Sequence, residues 1–133
     1  MEENQPVETP PVLPGQAEQQ FQAELIDLDY FSRLKLRVAR VESAEAVPKS
    51  SKLLKLQVDL GPLGRRQILA GIARYVTPES LVGRKIVVIS NLKPATLMGH
   101  ESHGMLLAAS SDHGASLSVI DPGQDMPAGA TVR

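Results

Sequence analysis

The sequence predicts an all-β domain, and three observations carry that reading. Apolar and polar residues alternate in short runs. The clearest is LLKLQVDLG, where Leu54, Leu56, Val58 and Leu60 share one face and Lys55, Gln57 and Asp59 share the other. Gly- and Pro-bearing turns such as VPKSSK and GPLG recur between those runs. Between the third and fourth runs, TPESLVG carries helix signals: Thr77 as a cap, Pro78 at the first position and Gly83 as a stop.

Taken in order, residues 1–24 are rich in Pro, Glu and Gln with little apolar periodicity, so they are expected to form an acidic tail or interdomain linker, with a short helix at GQAEQQFQAEL. The folded domain is expected over 25–133. In LDYFSRLKLRV, Asp29 is a candidate cap for a turn, and Leu34, Leu36 and Val38 open the first strand. Val41 falls on the opposite parity to Val38, which predicts a bulge or sharp bend in a long strand. Strand two is LLKLQVDLG, strand three RRQILAG and strand four RKIVVISNL, which is apolar on both faces and so central. GMLLAAS and ASLSVI are further strands before the turn-rich close DPGQDMPAGATVR. The sum is a five-stranded Greek-key barrel of the OB type, with a short helix between strands 3 and 4 and C-terminal β additions. A sandwich or an SH3-like barrel is the alternative.

Charge is unevenly spread. Residues 1–29 hold seven acids and no Lys or Arg, whereas residues 30–111 hold thirteen Lys/Arg against five acids. A basic body behind an acidic leader is the asymmetry of a polyanion-binding domain, although an ordinary charged surface also accommodates it. No cysteine is present, so thiol chemistry is excluded. No signal peptide or membrane-spanning run is evident, and a cytoplasmic location is expected.

Catalytic and metal signatures fail on spacing. His100, Glu101 and His103 read H-E-S-H between two glycines, not two histidines four apart on a helix; His113 lies ten residues on. There is no G-x-S-x-G elbow and no Gly-Lys-Ser/Thr phosphate loop. We therefore expect no enzyme activity, no metal and no cofactor. Polyanion binding has positive support. Lys49, Lys52 and Lys55 surround the first hairpin, Arg65 and Arg66 follow the second, and Arg74 begins the 3–4 connection. Arg37 and Arg40 lie on strand one and Lys93 just after strand four. In an OB barrel the loops after strands one and four border one groove, which is expected to bring Lys49 and Lys52 towards Asn91 and Lys93. Cations there neutralise phosphates; Asn91 and Ser102 are candidates for sugar or base edges, His103 for a polyanion contact, and Met105 for packing beneath a base or ribose. Only four aromatics are present, so stacking on an extended strand is poorly supplied. Folded RNA fits better.

The stretches DYFSRLKLRV, KLLKLQVDLG, RRQILAGIARYVTPESLVGRKIVV and, above all, NLKPATLMGHESHGMLLAAS resemble the tRNA-binding domain at the C-terminus of many methionyl-tRNA synthetases, also found as stand-alone structure-specific tRNA-binding proteins. The resemblance covers about 80 continuous residues plus the closing segment. It implies an OB fold, homodimerisation through the C-terminal additions, non-catalytic binding of tRNA by shape, and fusion to or association with methionyl-tRNA synthetase. Asn91, Lys93, Ser102, Gly104 and Met105 match the shared motif, Lys52 and Lys55 the basic strand-two edge, and Arg37 the first-strand arginine. Departures are Lys35 for an acid, Ser51 for Asp, Thr96 for Lys, and His100 and His103 for Ile and Gln. Imidazole charges below pH ~6.5, so RNA binding is expected to strengthen there. Leu117, Val119 and Ile120 are candidates for a dimer face. The alternatives are a chaperone-like or protein-interaction module on the same fold, and an OB-fold single-strand binder.

Overall fold

The computed structural model describes residues 23–133. Residues 1–22 of the tail or linker expected over 1–24, and most of the helix expected at GQAEQQFQAEL, lie outside the described residues. The chain divides into two units between Phe31 and Ser32. The first ends in a single helical turn, α1 (Leu28–Phe31). Its cap is Asp27, not Asp29: the Tyr30 N–H donates to Asp27 Oδ1 at 2.8 Å. A capping oxygen must stand just outside the turn, two or three residues before the N–H it accepts from, and Asp29 is already inside.

The second unit is a nearly closed barrel. Its strands are β1 (Leu36–Ala46), β2 (Leu54–Asp59), β3 (Arg65–Ala70) and β4 (Lys85–Ile89). They are followed by β5 (Ala95–Leu97), β6 (His100–Ser102), β7 (Met105–Leu106), β8 (Ala108–Ser111), β9 (Ser116–Val119) and β10 (Thr131–Val132). The main sheet runs β3-β2-β1-β4-β7, with β10 also beside β1. Besides β10, β1 serves two longer partners: residues 36–40 pair with β4 and residues 40–46 with β2. That dual pairing requires a bend. The register shift between Val41 and Ser43 supplies it, as the parity change in the sequence predicts.

β2 shows why the barrel is stable. Leu54, Leu56 and Val58, with Leu60 just beyond, are each 1% exposed or less and meet Val41, Ile68, Ile86 and Val88. Burying one such side chain contributes about 1.5–3 kcal/mol. Between β3 and β4 stands α2 (Pro78–Leu81), whose fully buried Leu81 joins the core. Thr77 precedes α2 without a side-chain capping bond. Pro78 instead presets φ for the first helical position.

The C-terminal half departs from the expected strands in one respect. GMLLAAS is split, because Leu107 donates to Val87 O at 3.0 Å and accepts from Ile120 N at 2.9 Å. The chain there changes partner from β4 to β9, so β8 and β9 form a separate two-stranded sheet. Val119 of β9 is 5% exposed and belongs to the core, so it is not available to a dimer face; Ile120 next to it is exposed. The last residues return to β1: Gly129 donates to Val38 O at 2.7 Å, and Val38 donates to Ala130 O at 2.9 Å. Gly129 is obligatory there, since a Cβ would stand 2.6 Å from the Leu60 carbonyl oxygen.

Candidate nucleic-acid interface

The stretch 91–104 leaves β4, forms the β5–β6 hairpin and returns along the free edge of β3. Met98 (φ +51) and Gly99 (φ +82) make its two-residue turn. Three hydrogen bonds attach the returning arm to β3. His103 N donates to Gln67 O at 2.8 Å, Leu69 N donates to Ser102 Oγ at 3.0 Å, and Gln67 Nε2 donates to Glu101 O at 2.9 Å. Ser102 Oγ donates onward to Gly104 O at 3.1 Å. Ser102 is only 5% exposed. Its hydroxyl is thus committed to closing the barrel seam rather than presented to a sugar. At Gly104 a Cβ would stand 2.9 Å from Ile89 O, so the seam closes only around a glycine.

Asn91 acts as a brace for the entry to β1. Its Oδ1 accepts from Lys35 N at 2.9 Å and its Nδ2 donates to Arg33 O at 2.7 Å. Ser90 Oγ donates to Lys35 O at 2.9 Å, and Arg66 donates to Ser90 O at 2.5 Å. These bonds gather Lys35 and Arg66 beside the connection that carries Lys93. The Lys35 ammonium donates to Ser32 O at 3.0 Å and Arg66 to Ser90 O, carbonyl oxygens that satisfy N–H groups without cancelling charge. Arg66 shares inward parity with Ile68 and Ala70. A charged residue in phase with core positions at a strand start is the signal that it reaches across the barrel end.

Lys49 and Lys52 lie elsewhere. Leu36 pairs with Ile89, which puts Asn91 at the start of β1, whereas Ala46 pairs with Leu54, which puts the first hairpin loop past its end. The expected approach of Lys49 and Lys52 to Asn91 and Lys93 is therefore replaced by two basic groups at opposite ends of an 11-residue strand. The loop turns at Val47–Ser50, where Ser50 N donates to Val47 O at 3.1 Å and Lys49 has φ +69. With Pro48 before it, this is a type II turn whose third position glycine would normally take. Ala73 N donates to Lys52 O at 2.9 Å, so the loop is tied to the turn that carries Arg74.

Between these ends lies the outward face of β1–β3, and apart from Arg40 its basic side chains are paired. Lys55 Nζ is 3.0 Å from Glu45. Arg65 grips Glu42 through Nε at 2.6 Å and a terminal nitrogen at 3.3 Å; this hydrogen bond and charge push the guanidinium pKa further up. Gln57 donates to Gln67 at 2.9 Å, and His103 Nε2 lies 3.0 Å from Glu101. Arg37 is also engaged, donating to Gly129 O and Thr131 Oγ1 at 3.1 Å each, which pins the returning C-terminal segment. Its buried Nε has no partner among the described residues. By contrast, the side chains of Arg40, Lys49, Lys52, Arg74 and Lys93 are exposed and form no hydrogen bond or ion pair among the described residues. Met105 is 47% exposed on the edge strand β7. No group of three potential metal ligands gathers among the described residues.

Residues 36–131 match the family model of the tRNA-binding domain. The methionine–tRNA ligase of Methanococcus aeolicus is 52% identical over 109 residues, 82% of this chain but 16% of that enzyme. The chain thus spans about one sixth of the length of such relatives, within their non-catalytic tRNA-binding domain. Among solved structures, a MetRS-related protein from Pyrococcus horikoshii aligns with a TM-score of 0.79 and 39% identity, over 84% of this chain and all of that one. The chaperone CsaA of Bacillus anthracis aligns with a TM-score of 0.75 and 28% identity, over 83% of this chain and all of that one. The unpaired rim cations, the OB-like barrel and the match over residues 36–131 lead to one conclusion: this chain belongs to the tRNA-binding domain family.

Proposed function

We propose that the chain is a non-catalytic module that binds folded tRNA through phosphate contacts and shape. The observation that carries this reading is the split between a charge-paired face and unpaired cations at its rim. Lys49, Lys52, Arg74 and Lys93 at the rim, with Arg40 midway along β1, supply the phosphate contacts, joined by Lys35 and Arg66 at the braced end. Rim cations separated by a strand's length suit the spaced phosphates of a folded RNA better than the continuous track of a single strand. Ser102, Asn91 and Arg37 act by holding loops in place. Lys55 and His103 reach RNA only by exchanging their carboxylate partners for phosphate, and Met105 contributes an apolar contact.

In its full context the module adds tRNA affinity to methionyl-tRNA synthetase, fused or associated, in the cytoplasm; the relatedness of the ligases supports this. No helix among the described residues is long and apolar enough to cross a membrane. A homodimer is proposed through apolar residues left in water, Ile120 and Met126 among them. Sedimentation at micromolar concentration should give twice the chain mass; a monomer mass rejects the dimer.

The decisive test is binding to folded tRNA, heat-unfolded tRNA and a single-stranded oligonucleotide across a salt series. Preference for folded tRNA, falling steeply with salt, is the expected result. Equal binding to all three rejects shape reading. Absence of RNA binding with capture of unfolded polypeptide would favour the chaperone-like role that the similarity to CsaA suggests.

A further inference from the structure

The main sheet ends at β3 on one side and β7 on the other, with no ladder between them. Among the described residues, their seam is stitched where residues 101–103 bond to Gln67 and Leu69. Beyond Leu69 the two edges part. They leave a largely apolar cleft of about 380 Å³ lined by residues 69–72 and 105–108, within the ~300–1,000 Å³ range of small-molecule pockets. We propose that this cleft receives one unpaired nucleobase of the bound tRNA, while Lys52 and Arg74 hold its flanking phosphates. The proposal rests on the tRNA-binding reading and specifies a contact within it.

Four features select a nucleotide. Met105, half-exposed at the mouth, offers a flat, polarisable thioether to a π-face in a chain with few aromatics. The Leu69 N–H is directed to Ser102 and away from β2. In an antiparallel ladder a residue's N–H and carbonyl point to the same side. The Leu69 carbonyl therefore faces the cleft edge as an acceptor for a base amino or imino group. Ile72 lines the cleft, Arg74 lies two residues on, and the Ala73–Lys52 bond holds Lys52 beside that turn. Both cations are without partners among the described residues. An extended apolar peptide would use the cleft and the Leu69 carbonyl but leave the two charges idle.

Gly71 permits a clean test. A Cβ there meets no atom within 4 Å and the backbone is not left-handed, so Gly71→Leu adds a side chain to the cleft wall without disturbing the fold. Binding of transcribed folded tRNA to G71L should weaken about tenfold, the scale of losing one base contact, with the wild-type salt slope kept. Met105→Ala, at an exposed position, should weaken binding in the same direction. A 4-thiouridine-substituted tRNA should cross-link to residues 105–108 in the wild type and lose that cross-link in G71L. Tight binding by both variants, within about twofold of wild type, overturns the proposal while leaving a folded-tRNA preference intact. So does a G71L that keeps tRNA affinity but loses an extended apolar peptide. A wild type with no preference for folded tRNA overturns the underlying reading as well.

Discussion

The outward face of β1–β3 and the loops at its ends carry cations of the same kinds in opposite circumstances. On the face, Arg65 and Lys55 are held by Glu42 and Glu45. At the ends, Lys49, Lys52, Arg74 and Lys93 face water without partners among the described residues. A phosphate approaching the face must displace a carboxylate already in place. One approaching the ends displaces only water and mobile counterions, whose release favours binding. The lesson is that a count of basic residues overstates a polyanion site, because the pairing of each charge decides its availability.

The comparison breaks most visibly if the rim is removed. Lys49→Ala, Lys52→Ala and Lys93→Ala together should weaken folded-tRNA binding by about 10²-fold near physiological salt and lower the salt slope by about 2–3. An unchanged slope would return the phosphate contacts to the face. Ser102→Ala should do the reverse. It strands the buried Leu69 N–H, so thermal or denaturant unfolding should show a loss of about 1–3 kcal/mol, while the salt slope stays as in wild type. A slope that fell with S102A would make Ser102 a contact after all.

Lys49→Gly sharpens the contrast within one residue. Relief of φ +69 should stabilise the chain by up to about 1 kcal/mol, yet the salt slope should fall by about one. The smallest effect is expected from removing a whole pair on the face. Glu42→Ala with Arg65→Ala should leave tRNA affinity within about threefold, because exposed pairs contribute little and net charge is unchanged. A larger loss would show that Arg65 leaves Glu42 for the RNA.

Much of the fold was legible because period-two patterning is a local property. β2 and the β1 bulge follow from it, while β4 was readable from an unbroken apolar run and the helix starting at Pro78 from its Pro and Gly signals. What was illegible depended on distant partners. The break in GMLLAAS arises because Leu107 finds Val87 on one side and Ile120 on the other. The cap at α1 is Asp27, since two acids two residues apart offer the same local signal and the backbone chooses between them. Of the candidate site, residue types were readable but roles were not. Asn91 and Ser102 stand in the most distinctive stretch, yet their side chains bond to Arg33, Lys35, Leu69 and Gly104. The distinctive wording reflects the demands of closing the seam between β3 and the β5–β6 hairpin. Val119 looked like surplus apolar surface until β9 placed it in the core.

By itself the sequence determined the barrel class, the family through its motif wording, and the surplus of positive charge over residues 30–111. Alternation, turn chemistry and charge are written residue by residue. Only the tertiary structure decided which charges are free, which polar side chains are spent inside the fold, and that the β3–β7 seam opens into a cleft. Those properties belong to pairs of residues tens of positions apart, and no single stretch of chain contains both members.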